Sequence, residues 1–418
     1  MNLFAIETLA IGDELLTGKI ADTNSAFVGQ CLFEKSLRLS RQNVVPDEKK
    51  AIQSTFKEIA QRAKVAICFG GLGPTSDDIT AATVAEILGR PLVTDELSKD
   101  KMIAFLKARN RQVTEQTLKQ VLVPQGTEVI PNGVGGFGLA PGFSFVFESC
   151  TFFFLPGVPN EMNQMFKNFV LPKVLALAPE QSEVVSRVWR CIGIVESEVQ
   201  RLMVPIEKSL PAGMWLGYRT RFPENYLYLY SKKEKSPHSS QSLDFWTQKI
   251  ETLLAPFCYG REEKDLEQWV FDLLKRKNKK LALAESCTGG LVIQRLTRVP
   301  GASDFIWGGY VTYQLDAKKK MLGVEFQKEL DAVSMKSSEA LALGALEKSV
   351  CDYALGISGY MGPSGGTSDT PVGTIFICVK DKKGGSAQER IQLPPRPRDV
   401  LQWGASSFAL NCLRKFIE

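Results

Sequence analysis

Histidine is almost missing. His238 is the one copy in 418 residues, and it stands in the polar stretch Ser231–Ser240, which reads as an exposed loop. A Ser-His-Asp triad or a histidine-rich metal centre would have to rest on that residue alone, so neither is expected. Chemistry must come instead from carboxylates, hydroxyls, lysine, cysteine and main-chain N–H groups. The nine cysteines include no C-x-x-C pair and are odd in number. They argue against a disulfide framework or a cysteine zinc site and fit a reducing cytoplasm. Long apolar runs are lacking too, so no membrane span is expected. Met1–Gly12 has no basic start and is interrupted by Glu7, so it reads as a first strand rather than a signal peptide. Nor does one charge sign dominate, since 51 basic and 46 acidic residues leave a net +5. With no basic patch interleaved with aromatics, small anions are expected as ligands and nucleic acid is not.

What is present is a repeated α/β rhythm, in a chain too long for one ordinary core. Phe4–Ile11 reads as a strand, and a helix follows from the capping residue Asp22 to Lys35. Leu37–Val45 reads as a strand, Glu48–Arg62 as an amphipathic helix and Lys64–Phe69 as a buried strand. Phe143–Phe147 and Thr151–Leu155 suggest an antiparallel hairpin, closed by a helix over Pro159–Leu177. Residues 178–258 read as a small α+β connecting domain with strands at Arg187–Gly193 and Tyr226–Tyr230 and a helix over Phe245–Leu254. From 259 to 418 the rhythm returns, with strands at Lys280–Ala284, Gly308–Thr312, Tyr353–Ile357 and Thr374–Val379 and a last helix from Asp399 to Phe416. The expected class is α/β, with two α/β domains of mainly parallel sheets (1–177 and 259–418) joined by the α+β piece.

The first cluster of chemistry lies between a buried strand and a helix, in Gly70-Gly71-Leu-Gly73-Pro-Thr75-Ser-Asp77-Asp78-Ile-Thr80. Glycines there allow close backbone approach to a ligand, and a helix N-terminus offers free N–H groups to an anion. Two acids in such a turn would repel a phosphate unless a divalent cation such as Mg²⁺ sat between them. Asp13 and Glu14, at the C-terminal end of the first strand, belong to the same sheet edge, where open α/β sheets bind ligands. The plainer alternative is that Asp77 and Asp78 cap the helix. The turn lacks the Gly-Lys-Ser/Thr ending of a P-loop.

The second cluster is Glu285-Ser286-Cys287-Thr288-Gly289-Gly290, again at a strand-to-helix turn. A nucleophile there gains from the helix dipole and from N–H groups able to hold an oxyanion. Ser286 and Cys287 both qualify, since a thiol at a helix N-terminus is acidified. As plainer readings, the serine is a cap and the cysteine core. Without a usable histidine the base is expected to be a lysine, and Lys318 with Tyr313 is a plausible pair. Gly356–Gly366, which contains Ser358, Gly359, Gly362, Gly365 and Gly366, supplies a second turn suited to a ligand's phosphate or ribose.

Gly12-Asp-Glu-Leu-Leu-Thr-Gly18, the Gly70–Thr80 turn and Leu155-Pro-Gly-Val-Pro-Asn-Glu-Met162 resemble the N-terminal domain of the CinA family, itself similar to the molybdopterin-binding fold. Glu285–Gly290, Val311-Thr-Tyr313 with Lys318, Gly323 and Val324, Ser358–Gly366 and Pro371–Thr374 resemble its C-terminal domain. The resemblance implies metal-dependent hydrolysis of ADP-ribose at the front, with Asp13, Glu14, Thr75, Asp77, Asp78 and Glu161 on the motif positions. At the back it implies deamidation of nicotinamide mononucleotide without a cofactor. Ser286 would be the nucleophile, Lys318 and Tyr313 would manage its proton, and Ser358 takes a place often held by threonine. It further implies a KH-like connecting domain and a homo-oligomer. The chain departs from the family pattern at the longer loop 132–142, at Gln314-Leu315 and at Tyr360-Met361. It departs also at Gln402, where a basic residue is expected, and Arg398 is the substitute for the phosphate contact. Two other functions stay open: binding or adenylylation of a molybdopterin-like ligand, and a non-enzymatic role in DNA uptake or repair.

Overall fold

All six residues of the strand Ile6–Ile11 are buried, as a central strand covered on both faces requires. It lies parallel to Arg41–Val45 on one side and to Val65–Phe69 on the other. In the computed structural model, which describes residues 4–132, 140–178, 184–232, 238–324 and 332–418 apart from the side chains of 238–242, these strands begin a six-stranded sheet. Its order is Arg41–Val45, Ile6–Ile11, Val65–Phe69, Cys150–Leu155, Gly142–Phe147, Glu128–Ile130. The first four strands are parallel, Gly142–Phe147 runs antiparallel to Cys150–Leu155 as the expected hairpin, and Glu128–Ile130 adds a further antiparallel pairing. Glu7, which interrupts the first apolar run, is buried because the Arg62 guanidinium holds its two oxygens at 2.8 and 3.0 Å. Asp22 caps the helix Thr23–Phe33 through Ser25 N–H, as expected. The closing helix is broken where one piece was expected. Pro159–Met165 and Leu171–Leu177 flank a wider π-turn at Phe166–Val170, next to Pro172, which lacks an N–H. The long loop is described only at its ends, residues 133–139 lying outside the described residues.

The chain forms two compact units, Met1–Val185 with Lys232–Glu234, and Ser186–Ser231 with Lys235–Glu418. The second contains a four-stranded sheet in the order Met214–Arg221, Glu224–Lys232, Val184–Ile192, Cys258–Gly260. The stretch expected as a loop around His238 differs. The strand runs to Lys232, a helix His238–Leu254 begins at the histidine itself, and residues 233–237 lie outside the described residues.

In the same unit, Ile306–Val311, Leu281–Glu285 and Tyr353–Gly359 run parallel. Thr374–Asp381 and Ser386–Gln392 extend this sheet antiparallel. The last strand, Ser-Ala-Gln-Glu-Arg-Ile-Gln, has too few apolar residues to be read as one from sequence. Ile192, from the segment expected as a connecting domain, and Tyr259, just past it, share one core with Leu266, Val270, Leu401 and Leu410, and Phe222 of the same expected connecting domain packs against it. Three helices are joined by a buried cation: Arg295 on Leu291–Thr297 meets Glu267 on Leu266–Lys277 at 2.7 Å. It also donates to Ser406 and Ser407 on Arg398–Ile417, both at 2.8 Å.

Candidate functional sites

In the front unit the ends of the parallel strands open onto a cavity of about 440 Å³. Its lining includes Gly70, Gly71, Gly73, Asp77, Asp78, Glu14 and Glu161, so sequence motifs 150 residues apart meet there. The glycines serve the protein's own backbone before any ligand. With φ of +105°, Gly70 would drive a Cβ to 2.1 Å from the Ile11 carbonyl oxygen, and one on Gly71 would strike the Thr80 hydroxyl. Gly73 leaves room for the Asp78 carboxylate, which closes the turn by accepting from the N–H of Thr75 at 2.8 Å and from its hydroxyl. Thr75 is therefore engaged inside the turn, and Lys119 donates to its carbonyl at 2.6 Å.

The expected metal cluster is not assembled. Among the described residues no three acidic, histidine or cysteine side chains form a metal-ligating group. Asp78 is committed to Thr75, and Glu161 accepts from Asn132 at 2.6 Å, with burial raising its pKa. Asp13 and Glu14 open the short helix Asp13–Leu16. Asp47, which sequence reasoning missed, accepts from Asp13 N–H at 3.1 Å. Burial raises its pKa, and the neighbouring Asp13, Glu14 and Asp77 push it the same way. Asn24, also missed, lines the cavity, donates to the Gly157 carbonyl at 2.9 Å and keeps a buried Oδ1 without a partner. Asp47 stands just past the strand Arg41–Val45, so the sheet-edge argument, applied to a second strand, points to it.

In the rear domain the turn after Leu281–Glu285 is built around a carboxylate. Glu285 is 1% exposed and accepts from the Thr288 hydroxyl (2.7 Å) and from N–H of Gly290 (3.1 Å), Val292 (3.0 Å) and Ile293 (2.8 Å). The expectation that these N–H groups and Thr288 wait for a ligand is thus corrected, because the protein's own anion already satisfies the helix N-terminus. Within the turn, Ser286 N–H donates to Ile357 and Gly289 N–H to the Ser286 carbonyl. The N–H groups of Cys287 and Thr288 have no main-chain acceptor among the described residues. Gln402 donates to the Cys287 carbonyl at 3.0 Å and ties the turn to the last helix.

Lys318 is 2% exposed, and its Nζ lies 3.0 Å from Ser286 Oγ, 2.8 Å from the Thr312 carbonyl and 3.3 Å from the Tyr313 carbonyl. Two carbonyls can occupy two N–H bonds, which leaves the third direction of the nitrogen toward the serine. Burial lowers the lysine's pKa and so favours the neutral amine, whose lone pair then points at Ser286. Cys287 goes the other way: burial first, with Glu285 adding to it, pushes its thiol up to about 12. The helix terminus does not acidify it, and it is Ser286 Oγ that lies within hydrogen-bonding distance of the lysine nitrogen.

Three further expectations change. Tyr313 touches Lys318 through its carbonyl, while its exposed phenol accepts from Arg398 at 2.7 Å, so the ring is not beside the reacting proton. Ser358 is fully buried and donates to the Ser334 carbonyl at 3.3 Å, although its strand runs beside the Ser286 turn, whose Ser286 N–H donates to the Ile357 carbonyl. Arg398 donates to the Gly362 carbonyl at 2.6 Å, linking the glycine loop to Tyr313. A Cβ on Gly359 would meet the Thr374 carbonyl oxygen and one on Gly366 that of Thr370, so these glycines too serve close packing. Gly365 and Gly289 have open surroundings by comparison.

The chain is an α/β protein whose front unit carries a cavity at its sheet edge and whose rear unit holds Lys318 against Ser286. Residues 7–176 match a family described as "Probable molybdopterin binding domain", and residues 263–417 match the "CinA C-terminal domain". A CinA-like protein of Syntrophotalea carbinolica is 34% identical over 99% of this chain and 98% of its own length. A CinA-like protein of Myxococcus xanthus is likewise 34% identical over 99% and 98%. The solved competence/damage inducible protein of Agrobacterium tumefaciens is 30% identical, covers 37% of this chain and 97% of its own, with a TM-score of 0.36. The chain belongs to the CinA-like family.

Proposed function

We propose that this protein is a bifunctional nucleotide hydrolase: an amidase for nicotinamide mononucleotide in the rear domain and an ADP-ribose diphosphatase in the front unit. The observation that carries it is the Lys318 nitrogen, held by two carbonyls 3.0 Å from Ser286 Oγ. The Ser286 proton passes to neutral Lys318 while Oγ attacks the amide carbon. The N–H groups of Cys287 and Thr288 face the developing oxyanion, and protonated Lys318 returns its proton to the departing ammonia. Water then releases the carboxylate from the serine ester. The exposed Arg398, held against Tyr313, offers the nucleotide phosphate a guanidinium.

At the front, the acidic grouping of Asp47 with Asp13, Glu14 and Asp77, whose nearby cation Lys119 is engaged with the Thr75 carbonyl, suits a divalent ion. With no preassembled triad of ligands, the fitting ion is one held by one or two carboxylates, water and substrate phosphate oxygens, as Mg²⁺ is. When bound, it neutralises phosphate charge as the pyrophosphate bond breaks. A molybdopterin-like ligand is the second reading of this cavity, favoured by the family description for residues 7–176. The experiment is to measure ammonia from nicotinamide mononucleotide and AMP from ADP-ribose with the purified chain. Release of both supports the reading. Absence of ammonia overturns the rear assignment, and tight molybdopterin binding without AMP release favours the second reading at the front.

A further inference from the structure

All nine cysteines are free thiols, and Cys258 is the one that is not buried. Its strand Cys258–Gly260 runs antiparallel to Val184–Ile192, with Cys258 directly opposite Cys191. Ile192 N–H donates to the Phe257 carbonyl at 3.0 Å, which makes 192 and 257 the hydrogen-bonded couple. The next couple, 191 and 258, is therefore a non-hydrogen-bonded one, where opposing Cα atoms approach to about 4.5 Å and side chains are closest. That separation lies within the range a disulfide spans. Cys258 Sγ donates to the Gly260 carbonyl at 3.2 Å. Cys258 lines a cavity of about 500 Å³ shared with Arg261 and Arg414, so a small reagent can reach it while Cys191 stays covered. Its pKa is lowered, chiefly by the Cys191 thiol opposite it, with the Gly260 main chain and Arg261 adding to it.

We propose that Cys258 and Cys191 form a reversible thiol-modification site that takes small-molecule disulfides and closes to a cross-strand disulfide. The Cys258 thiolate attacks one sulfur of the small disulfide, forming a mixed disulfide and releasing one thiolate. Cys191 gives up its proton to that thiolate and attacks Cys258 Sγ, displacing the second thiolate. Two electrons pass from the protein dithiol to the small disulfide, which ends as two thiols. Cys258 is the attacking thiol and Cys191 the resolving one, because only Cys258 is both accessible and acidified.

The test exposes the full chain to glutathione disulfide and counts thiols in denaturant. The count should fall from nine to seven, with peptide mapping showing one Cys191–Cys258 link that reduced glutathione reverses. Cys191→Val should stop at a glutathione adduct confined to Cys258, and Cys258→Ser should give neither product. In the unmodified chain, iodoacetamide should label Cys258 ahead of the other cysteines. Nine remaining thiols, a link that includes another cysteine, or adducts spread over several cysteines in Cys191→Val would overturn the proposal.

Discussion

The proposed role of Lys318 as base rests on what surrounds its nitrogen, and single substitutions read that out. Ser286→Ala should lower turnover on the order of 10³-fold or more, and Lys318→Ala by a comparable factor. The double variant should be little worse than either, because the two act as a unit. Cys287→Ala should keep most activity, since its buried thiol stays protonated. A dead Cys287→Ala beside an active Ser286→Ala would make the site a thiol amidase. The pH dependence follows from the lysine's lowered pKa. Activity requires the neutral amine, so kcat/KM should climb as pH rises through that pKa, with its midpoint below the usual lysine value near ~10.4. Lys318→Arg stays charged throughout and should abolish the climb. At the front, Asp78→Asn should loosen the turn that grips Thr75 and reduce AMP release while leaving ammonia release intact.

Among the elements, the short helix Leu291–Thr297 has its first turn satisfied by Glu285 and its body pinned through Arg295. Arg295→Met should destabilise the fold by about 3–5 kcal/mol in urea melts, because Glu267 is left as a buried, unpaired charge. Arg295→Met with Glu267→Leu should regain most of that loss. If the double variant is as unstable as the single, packing against Trp403, 4.2 Å from the guanidinium, is the main contribution. Neither partner was evident from sequence. Arg295 lies on a helix whose apolar spacing shows that a face is buried, not which charges meet on it. Glu285 could be read only as part of a motif, because its role depends on the chain turning back to place four donors around it.

For the molecule as a whole, the shared core sets where the chain can be cut. A fragment beginning at Arg261 loses Ile192 and Tyr259, both nearly solvent-free, together with the Phe222 contact. It should be less stable than a fragment beginning at Ser186 by about 3–6 kcal/mol, at ~1.5–3 kcal/mol per buried large side chain. Equal urea midpoints and slopes for the two would show that the core closes without the middle sheet. Chelation should abolish AMP release and spare ammonia release, and equal loss of both would contradict two separate sites.

Sequence alone determined the α/β rhythm, because burial along a strand or helix is recorded in the spacing of Ile6–Ile11 or Lys49–Arg62 itself. It also marked the two glycine turns, since such turns demand residue types that few other places do. Tertiary structure decided the chemistry. It set Lys318 against Ser286, spent the helix N-terminus on Glu285, raised the Cys287 thiol and moved the Tyr313 phenol to Arg398. It added Asp47 to the front cavity and merged the middle sheet with the rear core. The physical reason is the same in each case. A proton's affinity and a carboxylate's partners depend on burial and on how the backbone turns, whether the partners are a few residues away, as for Glu285, or tens, as for Lys318 and Ser286.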